Sequence, residues 1–93
     1  MIRSFADAET ERFFTTGLAR RLPRDALKRA AMRLKQLSAA TRIDDLRMPP
    51  SNRLEALKGS RAGQHSIRVN DQWRVCFRFE DGDAFDVEIV DYH

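Results

Sequence analysis

Cysteine is nearly absent from this 93-residue chain, with Cys76 alone. One thiol can form neither a disulfide framework nor a Cys-based zinc site. No metal and no cofactor are expected. No apolar run approaches the roughly 20 residues needed to span a bilayer, which excludes a helical membrane span. The opening stretch MIRSFADAETERFF has acids where a secretion signal would carry its apolar segment, so a cytoplasmic protein is expected. Repeats and low-complexity segments are missing too. Nor is there a large charge excess: the net charge of +3 and a pI near 9.6 suit a polyanion partner without establishing one.

What is present reads as a folded protein. Hydrophobic residues make up 42% and charged residues 33%, a balance that argues against disorder. At this length, residues 1–93 form a single domain with one modest core. Ile2 to Phe5 reads as a short first strand. A helix follows from Ala6-Asp7 to about Thr16, with Asp7 and Glu9 at its positive end and Gly17 as its stop. A stronger helix follows Pro23, where Leu27, Ala30, Ala31, Leu34 and Leu37 form one apolar stripe. Arg24, Lys28, Arg29, Arg33 and Lys35 take much of the rest, a basic face expected to be solvated or to meet a partner. Thr41 to Ser51, with Pro49-Pro50, is a connector.

From Arg53 the pattern changes to period two. Leu54 and Leu57 flag a strand around Lys58, and Ser66 to Val69 another. Trp73, Val75, Phe77 and Phe79 alternate with Arg74, Cys76, Arg78 and Glu80, and Phe85, Val87 and Ile89 alternate with Asp86, Glu88 and Val90. Helices first and strands after give an α+β fold: two N-terminal helices packed on one face of a mainly antiparallel twisted sheet.

Apolar residues of paired strands must share a face, and that parity sets the registers. A three-residue loop at Asp81-Gly82-Asp83 places Phe77 opposite Val87, Arg78 opposite Asp86 and Arg74 opposite Val90. A turn at Asn70-Asp71-Gln72 places Ile67 opposite Val75 and Arg68 opposite Arg74. Arg78 then has Asp86 as a partner, while Arg68 and Arg74 face each other with none assigned. Facing arginines are destabilising. Either both reach water, Glu88 or Asp91, or the two guanidinium groups bind a phosphate. The last strand runs on past Arg74, so Asp91, Tyr92 and His93 are expected beside the pair. His65 shares the core side with Ile67, which favours a structural role. Cys76 falls on the open face with nothing nearby to activate a thiolate, and is taken as packing.

These residues carry a resemblance. RLEALKGSRAGQHSIRVNDQWRVCFRF followed by DGDAFDVEIVDYH, together with the opening MIRSF and the PPSNRL connector, resembles the HigB-type toxins of the RelE/ParE superfamily. The LKG, SIRVNDQWR and VDYH segments are specific in combination. The resemblance covers essentially the whole chain. It implies a compact RelE-like domain that acts as a metal-independent, ribosome-dependent mRNA endonuclease in the A site of the 70S ribosome. The partner it implies is a HigA-like helix-turn-helix antitoxin, with operator DNA engaged only through that antitoxin.

The chemistry is consistent with the residues. Attack of a ribose 2′-OH on its own phosphate needs a base, an acid for the 5′-oxygen, and cations for the charge on phosphorus. An imidazole serves either proton role, and His93 is the best candidate. Tyr92 is a candidate for base stacking or proton transfer, and Asp91 for orienting His93. Lys58, Arg61, Arg68 and Arg74 supply positive charge for the phosphate. Glu55 stands where some relatives have histidine, and either acts as a base or pairs with Lys58 or an arginine. Two other readings belong to different classes: a gyrase-poisoning inhibitor of the same superfamily, and a non-catalytic RNA-binding module.

Overall fold

The structure is a computed structural model that describes residues 1–92; His93, the terminal imidazole singled out above, lies outside the described residues. Helix α1 spans Ala8–Thr16. The Asp7 carboxylate accepts from the Thr10 N–H at 2.6 Å, capping one of the unpaired amides of the first turn. Gly17 stops the helix in the left-handed region at φ 79°, its N–H donating to the Phe13 carbonyl at 2.8 Å. The Thr10 hydroxyl accepts from the Ile89 N–H at 3.1 Å, fastening α1 to the last strand.

Helix α2 spans Arg24–Ala39 directly after Pro23. Its buried row is Ala26, Ala30, Arg33, Leu34 and Leu37, so the helix is rotated from the expected stripe. Ala31 faces solvent and Arg33, assigned to the basic face, is inside. Ala31 gives up only a methyl by being exposed. Arg33 can bury its long stem because its head finds hydrogen-bond acceptors. The connector carries two short 3-10 turns, Ile43–Arg47 and Pro50–Asn52, held by the buried Asn52. Its Nδ2 donates to the carbonyls of Leu46 at 3.0 Å and Met48 at 3.3 Å.

The sheet is an antiparallel meander ordered β1-β2-β3-β4. Its strands are β1 Glu55–Ala56, β2 His65–Arg68, β3 Trp73–Glu80 and β4 Asp83–Asp91. Strand β1 is only two residues long and ends before Lys58. The β2–β3 register is the expected one, with Ile67 opposite Val75 and Arg68 opposite Arg74. The β3–β4 hairpin differs in part. Its turn is the two-residue Asp81-Gly82 pair, both at positive φ (51° and 83°), the primed geometry whose twist suits a hairpin. Glu80 therefore faces Asp83, and Arg78 faces Phe85 instead of Asp86. A bulge restores the expected register further along, where Cys76 faces Glu88 and Arg74 faces Val90. The extra residue is Asp86, at φ 54°, whose N–H donates to the Ser4 hydroxyl at 2.9 Å. Phe85 consequently moves to the open face, where the Arg78 guanidinium lies 4.9 Å from its ring centre. Arg78 keeps the anticipated ion pair with Asp86 at 3.5 Å.

Ile2 to Phe5 do not form a full strand. They run parallel to β4 and bridge it at Ala84 and Val87, on either side of the bulge. The helices cover one sheet face, enclosing Phe13, Leu34, Leu37, Ile67, Val75, Phe77 and Val87. Among the described residues, no helix is long and apolar enough to cross a membrane.

Candidate active site

On the sheet face away from the helices, one row of cross-strand neighbours reads Glu55, Ser66, Cys76, Glu88. The next reads Arg68, Arg74, Val90. Two acids end the first row, and two arginines sit side by side in the second.

Arg74 is the best-anchored cation of this face. Its Nε donates to the Ser66 hydroxyl at 2.7 Å, and its Nη2 to the Arg53 carbonyl at 2.7 Å and the Ser66 carbonyl at 3.4 Å. The Glu55 carboxylate lies 3.7 Å from the same Nη2, and the Tyr92 ring centre is 5.7 Å from the guanidinium. Arg74 therefore has partners, contrary to the register argument alone. Its carbonyl anchor depends on a strained residue: Arg53 closes the Pro50–Asn52 turn at φ 45°, ψ 55°. For a residue with a Cβ that conformation costs roughly 1–2 kcal/mol.

Arg61 is fixed at the other end of the first row. Its Nη1 donates to Glu88 Oε1 at 2.8 Å and to Gln64 Oε1 at 3.0 Å. The hydrogen bond to Glu88 is the main reason this guanidinium holds its proton more tightly than usual. Glu88 thus serves Arg61, not the Arg68–Arg74 pair for which it was a candidate. Arg68 pairs with Asp71, whose side chain is 99% exposed, so water screens that contact and a phosphate can displace it at little cost. Lys58 stands exposed at the start of the turn Gly59–Arg61. Gly59 follows at φ 65°, a conformation that explains the glycine in the LKG segment.

The end of β4 divides. Tyr92 comes to the arginines, its N–H donating to the Gln72 carbonyl at 2.6 Å. Asp91 does not: it lies opposite Trp73, on the other face of the sheet, and accepts from Gln72 Nε2 at 3.1 Å. Its expected place beside the pair fails because side chains alternate along a strand, and Arg74 pairs with Val90. His93, the proposed proton-transfer group, is outside the described residues. His65 is on the helix-side face, stacked on Phe77 at 6.3 Å. Cys76 is on the open face as parity requires, yet completely buried. Burial raises the pKa of its thiol, so it stays protonated at neutral pH.

The structure therefore gathers Glu55, Arg61, Arg68, Arg74 and Tyr92 on one face. Sequence reasoning missed Ser66, Gln64 and the Arg53 carbonyl as anchors. Ser66 was findable, since its parity places it between Glu55 and Cys76; a carbonyl aimed by backbone strain leaves no such trace. Fixed guanidinium groups beside an exposed carboxylate and a half-exposed phenol can hold a phosphate and shift protons around it.

Comparison with known proteins points one way. The family described as the RelE-like toxin of the type II toxin-antitoxin system HigB matches residues 3–93. Toxin HigB-1 of Vibrio cholerae is 41% identical over 85 residues, covering 90% of each chain. The Endoribonuclease HigB of Proteus vulgaris is 36% identical over 93 residues, covering both chains fully. Among solved structures, the YoeB-YefM complex from Staphylococcus aureus shares the fold, with a TM-score of 0.62 at 18% identity. That match covers 100% of this chain and 95% of the other.

Proposed function

This chain belongs to the HigB-like, RelE-like toxins of type II toxin-antitoxin systems, and from that premise we propose that it is a ribosome-dependent mRNA endonuclease. The anchored Arg74, set between Glu55 and Tyr92 and facing Arg68 across the strands, carries the reading. A guanidinium already oriented by Ser66 and the Arg53 carbonyl loses little freedom when a phosphate arrives.

In the proposed reaction the 2′-oxygen bonds to the adjacent phosphorus and the bond to the 5′-oxygen breaks. The products are a 2′,3′-cyclic phosphate and a 5′-hydroxyl. His93 transfers the proton at one end. Glu55, 56% exposed, takes the 2′-OH proton at the other. Arg74 and Lys58 bind the charge that develops on phosphorus, while Arg61 and Arg68 hold flanking phosphates. Tyr92 stacks on an unpaired base. Asp91, held at the strand end by Gln72, orients His93.

The supporting test is cleavage of a defined message by the purified protein, with and without translating ribosomes. A 2′-deoxy nucleotide at the cut position should abolish cutting there. Cutting through the deoxy position would refute the 2′-OH mechanism.

The antitoxin partner is a helix-turn-helix protein of the HigA type, which alone contacts operator DNA. It docks on the helical side. There the basic residues Arg24, Lys28, Arg29 and Lys35 stand exposed beside the apolar Phe14, Leu18 and Met32. Acidic complementarity to that face predicts fast, salt-sensitive association. Affinity that does not change between low and high salt would remove this surface from the account. The site of action is the ribosome in the cytoplasm.

A further inference from the structure

Arg33 is the largest fully buried side chain among the described residues, 1% exposed in the middle of α2. Its three hydrogen bonds run to neutral acceptors. Nε donates to the Arg68 carbonyl at 2.8 Å, Nη1 to Gln36 Oε1 at 3.3 Å, and Nη2 to the Ser51 hydroxyl at 3.3 Å. Burial first, then the nearby Arg29 and Arg68, weakens its hold on the proton. An apolar side chain of similar volume would fill the same space without removing a charge from water. Stability alone is therefore a poor account of a guanidinium here.

Two of these acceptors, the Arg68 carbonyl and the Ser51 hydroxyl, share a property. Arg68 ends β2 and faces Arg74 across the strands. Ser51 lies in the turn that closes at Arg53, whose carbonyl orients Arg74. From the helix side, one buried fork grips the backbone under one open-face arginine and the turn that aims the other.

We propose that Arg33 is a positioning residue for RNA cleavage: it sets the spacing and direction of Arg68 and Arg74 through the sheet. The inference rests on the proposed cleavage activity but makes a separate prediction about Arg74. A fork of donors can bridge two segments, whereas a point charge or an apolar chain cannot. Displacement of a catalytic group by about 1 Å costs on the order of 10²-fold in rate.

The test uses Arg33→Met, Arg33→Lys and Ser51→Ala, each read by kcat and KM below its melting temperature and by the NMR signal of the Arg74 Nε–H. Arg33→Met should lose roughly 10–100-fold in kcat with a smaller change in KM, and the Arg74 Nε–H should shift and exchange faster. Arg33→Lys should recover part of both. Ser51→Ala, an exposed substitution, should lower kcat and move the Arg74 signal with an unchanged melting temperature. A folded Arg33→Met that keeps kcat, or a loss that only tracks the unfolded fraction while the Arg74 signal stays put, overturns the proposal. Should Arg33→Met not fold, an unmoved Arg74 signal in both other variants overturns it equally. If the wild-type protein cuts no RNA, the cleavage reading fails while the Arg74 signal still decides the positioning role.

Discussion

Replacing Arg74 with alanine removes the most constrained cation of the open face. Parity alone suggests a surface change that spares the fold. The structure says otherwise, because only 12% of the Arg74 side chain is exposed. Two bonds of 2.7 Å, to the Ser66 hydroxyl and the Arg53 carbonyl, disappear, and the fully buried Ser66 loses its partner. Hydrogen bonds with a charged partner contribute about 1.5–3 kcal/mol each. The half-exposed Glu55 contact at 3.7 Å adds at most about 1 kcal/mol. These terms are not additive, so a net loss of roughly 2–4 kcal/mol is expected. For a domain of this size that lowers the melting temperature by about 10–20 °C. Cleavage by programmed ribosomes, assayed where both proteins are folded, should fall by about 10²–10³-fold. Arg74→Lys should restore part of the stability and little of the activity, since an ammonium cannot reach both anchors. An Arg74→Ala protein that melts like wild type would show that the anchoring is absent. One that cleaves like wild type would show that the phosphate lies elsewhere.

Trp73, 6% exposed against the helices, should cost about 3–5 kcal/mol as Trp73→Ala in denaturant unfolding; an unchanged midpoint would mean the strand faces are misassigned. Cys76 should resist iodoacetamide in the native protein at pH 8 and react only on unfolding, because burial keeps it a thiol; alkylation at the rate of a free cysteine would contradict its burial. Among the described residues, deleting Tyr92 and His93 takes away the Tyr92 backbone hydrogen bond to Gln72 and a side chain that is 40% exposed, so stability should change within the range of surface substitutions. Activity should fall by about 10²–10⁴-fold, and His93→Gln should match the deletion. Full growth inhibition by either variant at wild-type expression would remove the chain end from the mechanism.

Much of this was legible because parity is a strict rule. With one face buried, Ile67–Val75 and Arg68–Arg74 could be placed before any coordinates, and so could Arg74–Val90. Parity fails where a residue is inserted. Asp86 absorbs the difference between a two-residue and a three-residue turn, and its cue, the Ser4 hydroxyl, lies more than 80 positions away. Arg33 was illegible for a similar reason. A basic residue on a helix reads as solvated unless its acceptors are known, and those acceptors are a carbonyl of β2, a serine of the connector and a glutamine one turn on. Asp91 was misplaced by treating three consecutive residues as one cluster, although a strand sends neighbours to opposite faces.

Mapping message ends in translating cells after brief induction bears most directly on the central claim. Cleavage at the open face of the sheet predicts new ends within translated reading frames, in register with the ribosomal A site. Upstream fragments should carry a 2′,3′-cyclic phosphate or its opened product, and downstream fragments a 5′-hydroxyl. Arg74→Ala at equal expression should leave messages intact. Intact messages with the wild-type protein, accompanied by DNA breaks, would contradict the account and point to gyrase. Cuts bearing 5′-phosphates would contradict the 2′-OH chemistry.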